Sequence, residues 1–156
     1  MLKRLPVFVE PLRYADEGKS LQGEMSIAEM DRLQALLSRN QAWVKININF
    51  AVDELKNKFI QGQVQADLSL TCQRCLQSMT VSVTSDFLLG LVVNQKQADE
   101  LSQEYEPMIV TAKSVKLATI IEDELLLALP IAPAHSDPQC STFGIEHTLV
   151  NEQELA

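Results

Sequence analysis

The chain has 156 residues, 46% apolar and 22% charged, with five glycines and six prolines, a globular profile that excludes collagen-like, low-complexity and largely disordered classes. A chain this long buries roughly two-thirds of the surface its unfolded form exposes, so it needs no disulfide framework, which three cysteines could not supply. The formal charge of −8 is uneven: residues 1–98 carry net +1 and residues 99–156 net −9, with no lysine or arginine after Lys116.

Near the start, Leu5 to Leu12 reads as a short strand bounded by prolines. Ser26-Ile27-Ala28-Glu29 has the capping-box pattern that opens a helix, with Met30, Leu33, Leu36 and Leu37 on one face. Val44, Ile46, Ile48, Phe50 and Val52 then alternate with Lys45, Asn47, Asn49 and Ala51, the period of a half-buried strand. Ile60, Val64, Ala66, Leu68 and Leu70 continue that period, and Met79 to Val93 predicts a third long strand rich in β-branched residues. Sequential strands with short connections predict an antiparallel meander. Glu106 to Thr111 adds a short strand, and a helix from about Val115 to Leu129 is stopped by Pro130.

Strands first and the long helix last favour α+β over a βαβ alternation. The expected architecture is therefore a single domain over 1–156: a twisted, mostly antiparallel β-meander with helices packed on one face. A loop-rich, acidic tail follows from about residue 131. The longest apolar run, Leu125 to Ala134, contains Pro130 and Pro133 and is about half of what a bilayer span needs. Lys3 and Arg4 resemble the start of a signal peptide, but Pro6, Glu10, Pro11 and Arg13 interrupt any apolar segment behind them. The expected location is the cytoplasm, with no membrane partner.

Cys72-Gln73-Arg74-Cys75 falls between the second and third long strands. Two intervening residues make a turn that can aim both thiolates at one tetrahedral metal. His135 and Cys140 follow in the Pro-rich segment, so Cys72, Cys75, His135 and Cys140 form a Cys3His set of the composition found in structural zinc sites. Four protein ligands leave no open position for catalysis, so one zinc ion there would pin the tail to the sheet. The alternatives are a reduced CxxC with an unrelated tail thiol, or a redox dithiol. The last is disfavoured, because a redox CxxC stands at a helix N-terminus that lowers the thiol pKa.

On a wheel of the long helix, Leu117, Ala118, Ile120, Ile121, Leu125, Leu127, Ala128 and Leu129 cover a broad arc, and Leu126 lies opposite. Glu122 and Asp123 fall near the polar side, but Glu124 falls within the apolar arc. A carboxylate so placed must be hydrogen-bonded or paired. Arg74 is the candidate partner, with Glu124 or Glu122 tying the helix to the hairpin tip. Arg74, Glu122, Asp123 and Glu124 thus form either a structural ion pair or a partner-binding group.

There is no Gly-rich phosphate loop and no GxSxG, and His147 has no nucleophile near it in sequence, so no enzyme or small-molecule substrate is expected. The acidic C-terminal half would repel a phosphate backbone and either attract a basic protein or serve as ordinary solubilising charge.

These pieces together resemble one family: Leu5-Pro6 followed by Glu10-Pro11-Leu12-Arg13, Leu70-Thr71-Cys72-Gln73-Arg74-Cys75, Tyr105-Glu106-Pro107, and Ile121-Glu122-Asp123-Glu124-Leu125-Leu126-Leu127-Ala128-Leu129-Pro130 with Pro133, His135 and Cys140. The chain is similar from about residue 2 to 145 to the bacterial YceD family, the large ribosomal RNA subunit accumulation proteins. The resemblance implies a non-enzymatic cytoplasmic factor in ribosome assembly and leaves its mechanism open; the acidic C-terminal half, with no basic residue after Lys116, points to a basic large-subunit ribosomal protein or assembly factor as partner. Within the same process, the alternative is binding of precursor ribosomal RNA by Lys3, Arg4, Arg13, Lys19, Arg32 and Arg39 of the N-terminal half. A thiol oxidoreductase or an RNA-processing enzyme is the alternative from another class. Some relatives carry a CxxC where this chain has His135 and Cys140, which strengthens the zinc expectation. Many end in a basic segment containing Pro-Phe, where this chain reads Asn151-Glu152-Gln153-Glu154-Leu155-Ala156.

Overall fold

A computed structural model of the chain describes residues 5–39, 41–130 and 133–134. The elements run in the order β1 (Phe8–Val9), α1 (Pro11–Glu17), β2 (Ser20–Ser26), a 3-10 turn (Ile27–Glu29), α2 (Asp31–Gln34), β3 (Trp43–Val52), β4 (Lys58–Thr71) and β5 (Ser78–Val92). They continue through α3 (Gln95–Glu100), β6 (Glu106–Ile109) and β7 (Val115–Lys116) to α4 (Leu117–Ala128). The main sheet has the order β2-β3-β4-β5-β6 and a second, two-stranded sheet pairs β1 with β7. This is the expected α+β architecture.

The three long strands form where apolar residues alternate. In register, Val44, Ala66 and Val83 lie side by side, as do Phe50, Ile60 and Leu89, and all six are buried. Their strands pair antiparallel, and β2 extends the meander antiparallel to β3. At the middle of this face stands Gly62, between Ile48 and Phe87 in register. A Cβ at Gly62 would stand 2.5 Å from both Ile48 Cγ2 and Phe87 Cζ. Absence of a side chain here lets its two neighbours meet across the strand.

Helices α1, α2 and α4 cover this face. Tyr14 of α1 packs edge-on against Phe50, with ring centroids 5.2 Å apart, and Leu33, Leu117, Ile121 and Leu125 are fully buried in the same core. The opposite face also receives a helical segment, contrary to the expectation of helices on one face alone. Phe59 and Gly90 are paired on that side, with Leu101 and Tyr105 packed over Gly90 and the Tyr105 ring 5.7 Å from Phe59. Helix α3 leads into this cover, its N-terminus capped by the Asn94 side chain, which accepts from the Gln97 amide at 2.8 Å.

Two local expectations are corrected. Leu5 to Leu12 is not one strand: only Phe8–Val9 is extended, and Pro11 starts α1, since proline's fixed φ and missing N–H suit a first helical turn. Gly18, at φ +63°, ends that helix, a left-handed position that glycine adopts without strain. Ser26 caps a 3-10 turn, accepting from the Ala28 amide at 3.1 Å, and the α-helix behind it has four residues. Leu36 is accordingly exposed, while Met30 and Leu33 are buried. Within the mostly antiparallel sheet, β6 is parallel to β5, which follows from α3 and its loop carrying the chain back along β5.

Helix α4 begins where β7 ends. Phe8 pairs with Lys116 and Val9 with Val115, and the Leu117 amide donates to the Val7 carbonyl at 3.0 Å. The helix stops at Ala128, before Pro130. No helix among the described residues is long and apolar enough to cross a membrane.

Candidate functional site

The CxxC turn closes the β4–β5 hairpin, just beyond the final ladder pair Thr71 and Ser78. The Cys72 amide donates to the Gln77 carbonyl at 2.8 Å and the Leu76 amide to the Cys72 carbonyl at 2.9 Å. Leu76 takes up φ +63°, a left-handed conformation that is costly for a residue with a branched side chain. That conformation follows immediately on the second cysteine and reverses the chain tightly around the pair. Cys72 is fully buried and Cys75 is 8% exposed, while Arg74 between them is half-buried.

The Gln73 amide of this turn donates to the Pro133 carbonyl at 2.7 Å. The segment behind α4 is therefore delivered to the hairpin tip two positions before His135. His135 and Cys140 themselves lie outside the described residues. Among the described residues no group of three or more His, Cys, Asp and Glu could hold a metal, as expected where half of the four-ligand set lies beyond them. Two thiols buried together in one tight turn fit the donor chemistry of zinc.

The second cluster is on α4. Glu122 is 6% exposed, although its position in sequence suggested the polar side of the helix. Its Oε1 accepts from Arg32 Nη2 at 3.0 Å and Nε at 3.3 Å, and its Oε2 accepts the Leu33 amide at 3.0 Å. Asp123 Oδ1 accepts from the same Arg32 Nη2 at 2.7 Å. The partner of Glu122 is thus Arg32, where sequence pattern suggested Arg74. Helix α2 has no side-chain cap of its own; Glu122 supplies one from across the core, placing negative charge on an amide of its first turn. The neighbouring carboxylates hold the Arg32 guanidinium more firmly protonated, Asp123 first and Glu122 second.

Glu124 is 5% exposed, in keeping with its position in the apolar arc. It faces the sheet near Ser85, whose hydroxyl partly offsets the cost of ionising it. Ser85 sits on the core face of β5, opposite Val64. The ion pairs of the described residues leave Glu124 without a cation. Burial above all, and then the negative charges of Glu106 and Asp123, push its carboxyl up to about 7.

Glu124 lines a groove of about 540 Å³ between α4 and β6. Leu89, Pro107, Met108, Ile120, Leu126 and Leu127 form its apolar surface, and Glu106, Asp123, Arg32 and Lys116 its charged one. The side chain of Leu127, 69% exposed, stands at its lip. The wheel grouped Leu127 with the buried arc and set Leu126 apart; Leu126 is half-buried and packs against the core instead. Glu106, Met108, Arg32 and Ser85 complete the site, and no sequence pattern linked them to α4, since parallel pairing of β6 and the path of α2 bring them there.

Comparison with known proteins gives two findings. The family model described as "Large ribosomal RNA subunit accumulation protein YceD" matches residues 60–154. The Haemophilus influenzae protein named large ribosomal RNA subunit accumulation protein YceD is 32% identical over 155 residues, covering 98% of this chain and 89% of that protein. No solved structure matches the chain.

Proposed function

The chain belongs to the YceD family of large ribosomal RNA subunit accumulation proteins, and from that premise we propose that it supports accumulation of large-subunit ribosomal RNA by binding a basic ribosomal protein or assembly factor. It acts in the cytoplasm as a binding factor rather than an enzyme, shielding its partner until RNA is available. The observation that carries this reading is the net −9 of residues 99–156 with no lysine or arginine after Lys116, a field that speeds association with a cationic protein and opposes a phosphate backbone. Arg13 is engaged by Glu10 and Glu17, and Arg32 by Glu122 and Asp123, which removes two cations from the set that would serve direct binding of precursor RNA.

Cys72, Cys75, His135 and Cys140 are the residues that would hold one structural zinc ion. When bound, zinc supplies a cross-link between hairpin tip and tail. The contact between Gln73 and Pro133 supports this assignment, and the placement of the thiols in a β-hairpin turn favours it over redox chemistry.

The test is a pull-down by the full chain from a mixture of large-subunit ribosomal proteins and ribosomal RNA, at low and high salt. Basic proteins recovered at low salt and lost at high salt are expected. Recovery of RNA alone would refute the proposal.

A further inference from the structure

The groove between α4 and β6 combines two features that ordinary surface clefts do not share. One wall carries a carboxylate, Glu124, that is 5% exposed and is paired with no cation among the described residues. The other surfaces are apolar and uncovered, with Leu127 69% exposed at the lip and Met108 and Leu126 half-buried beneath it. A buried carboxylate without a counter-charge is costly, and an apolar wall beside water gains from being covered. One ligand chemistry answers both: a cationic head on an apolar stem.

The charges around Glu124 favour the same ligand. Glu106 faces it from β6 and Asp123 from its own helix, while the basic residues of the groove are Arg32 on α2 and Lys116 on β7. The Arg32 guanidinium is already bound to Glu122 and Asp123, so it does not neutralise Glu124. Pro107 removes one N–H from β6, an edge strand of the sheet, which disfavours recognition by strand addition here. Side chains are left to do the reading.

We propose that this groove is the partner-binding site, and that it receives a lysine- or arginine-bearing segment of a basic protein. The cation enters between Glu124 and Glu106, and apolar residues flanking it cover Leu127 and Met108. This rests on the reading that the partner is a basic protein, and it names the surface and the side-chain chemistry involved.

A photo-reactive phenylalanine analogue placed at Leu127 of the full chain tests it, with a second placed at Leu55, which is 79% exposed and outside the groove. The probe is the protein fraction extracted from purified large ribosomal subunits. Cross-links to lysine- and arginine-rich proteins are expected from Leu127 and not from Leu55. They fall about tenfold in a variant carrying Glu106→Gln and Glu124→Gln, whose thermal melting reports that the fold is kept. Undiminished cross-linking in that variant would overturn recognition of a cation. Basic proteins that bind in solution but cross-link only from Leu55 would overturn the groove and leave the basic-partner reading standing. Failure of any basic protein to bind the unaltered chain would overturn both.

Discussion

Glu122 accepts the backbone amide of Leu33 at 3.0 Å from 89 positions further along the chain, and so caps the first turn of a helix it does not belong to. The short α2 would otherwise begin with its first amides facing the core. One carboxylate thus does two things, capping the start of α2 and fixing the side of α4 that faces it.

Glu122→Ala is therefore expected to destabilise the protein by about 2–4 kcal/mol, because it leaves a buried amide unsatisfied as well as breaking an ion pair. Arg32→Ala is expected to cost clearly less, since the Arg32 side chain is 54% exposed and water replaces it at the carboxylate. Urea denaturation of the two variants measures the order. Equal losses would contradict the capping role.

Glu124 sets a pH dependence. Its folded carboxyl is raised to about 7 from 4.5, so the stability it contributes is fully present below the unfolded value and is lost as pH rises towards and through 7. Glu124→Gln is expected to melt like the parent at pH 4.5 and about 3–6 °C higher at pH 8, corresponding to roughly 1–2 kcal/mol after allowance for water reaching the groove. Calorimetry at the two pH values checks this, and a difference that does not change with pH would show that the fold leaves the carboxyl of Glu124 unshifted.

Gly62→Ala is expected to destabilise by about 1–3 kcal/mol, as overpacked cores do, because the new methyl would stand 2.5 Å from Ile48 and Phe87 on either side. Thermal melting gives the magnitude. In the double variant Gly62→Ala with Phe87→Leu, part of that loss is expected to return, since the smaller side chain makes room.

Native mass spectrometry of the untagged protein is expected to show one added zinc, released by a chelator together with a drop in melting temperature. Cys75→Ser is expected to bind no zinc and to melt as the chelated parent does. A metal-free mass for the parent would return Cys72 and Cys75 to the status of a dithiol, with thiol reactivity as the next measurement.

The strands β3, β4 and β5 were legible in sequence because each buries one face against the same core, and alternation records that directly. Burial of Glu124 was legible for the corresponding reason, its place in the apolar arc of α4. Burial of Glu122 was not: the donors that make it tolerable come from Arg32 and Leu33 on α2, and periodicity along one helix carries no information about a distant one. Strand β2 escaped notice because it is an edge strand with Gly23 at its interior, the only position on it that is buried, so its apolar signal is weak. Helix α1 escaped because Pro11 reads equally well as the end of a strand or the first turn of a helix, and only the pairing of β1 with β7 decides where extension stops.

That pairing has a consequence for how the chain comes to be made. Phe8 and Val9 emerge from a ribosome more than a hundred residues ahead of Lys116 and Val115, with which they pair. The hairpins of β2 to β5 join neighbours in sequence and can close while synthesis continues, whereas the clasp between the chain's opening residues and α4 is a distant contact that must wait. The groove beside α4 is therefore among the last of the described features to form, because a newborn chain can close it only after Leu127 has left the ribosome.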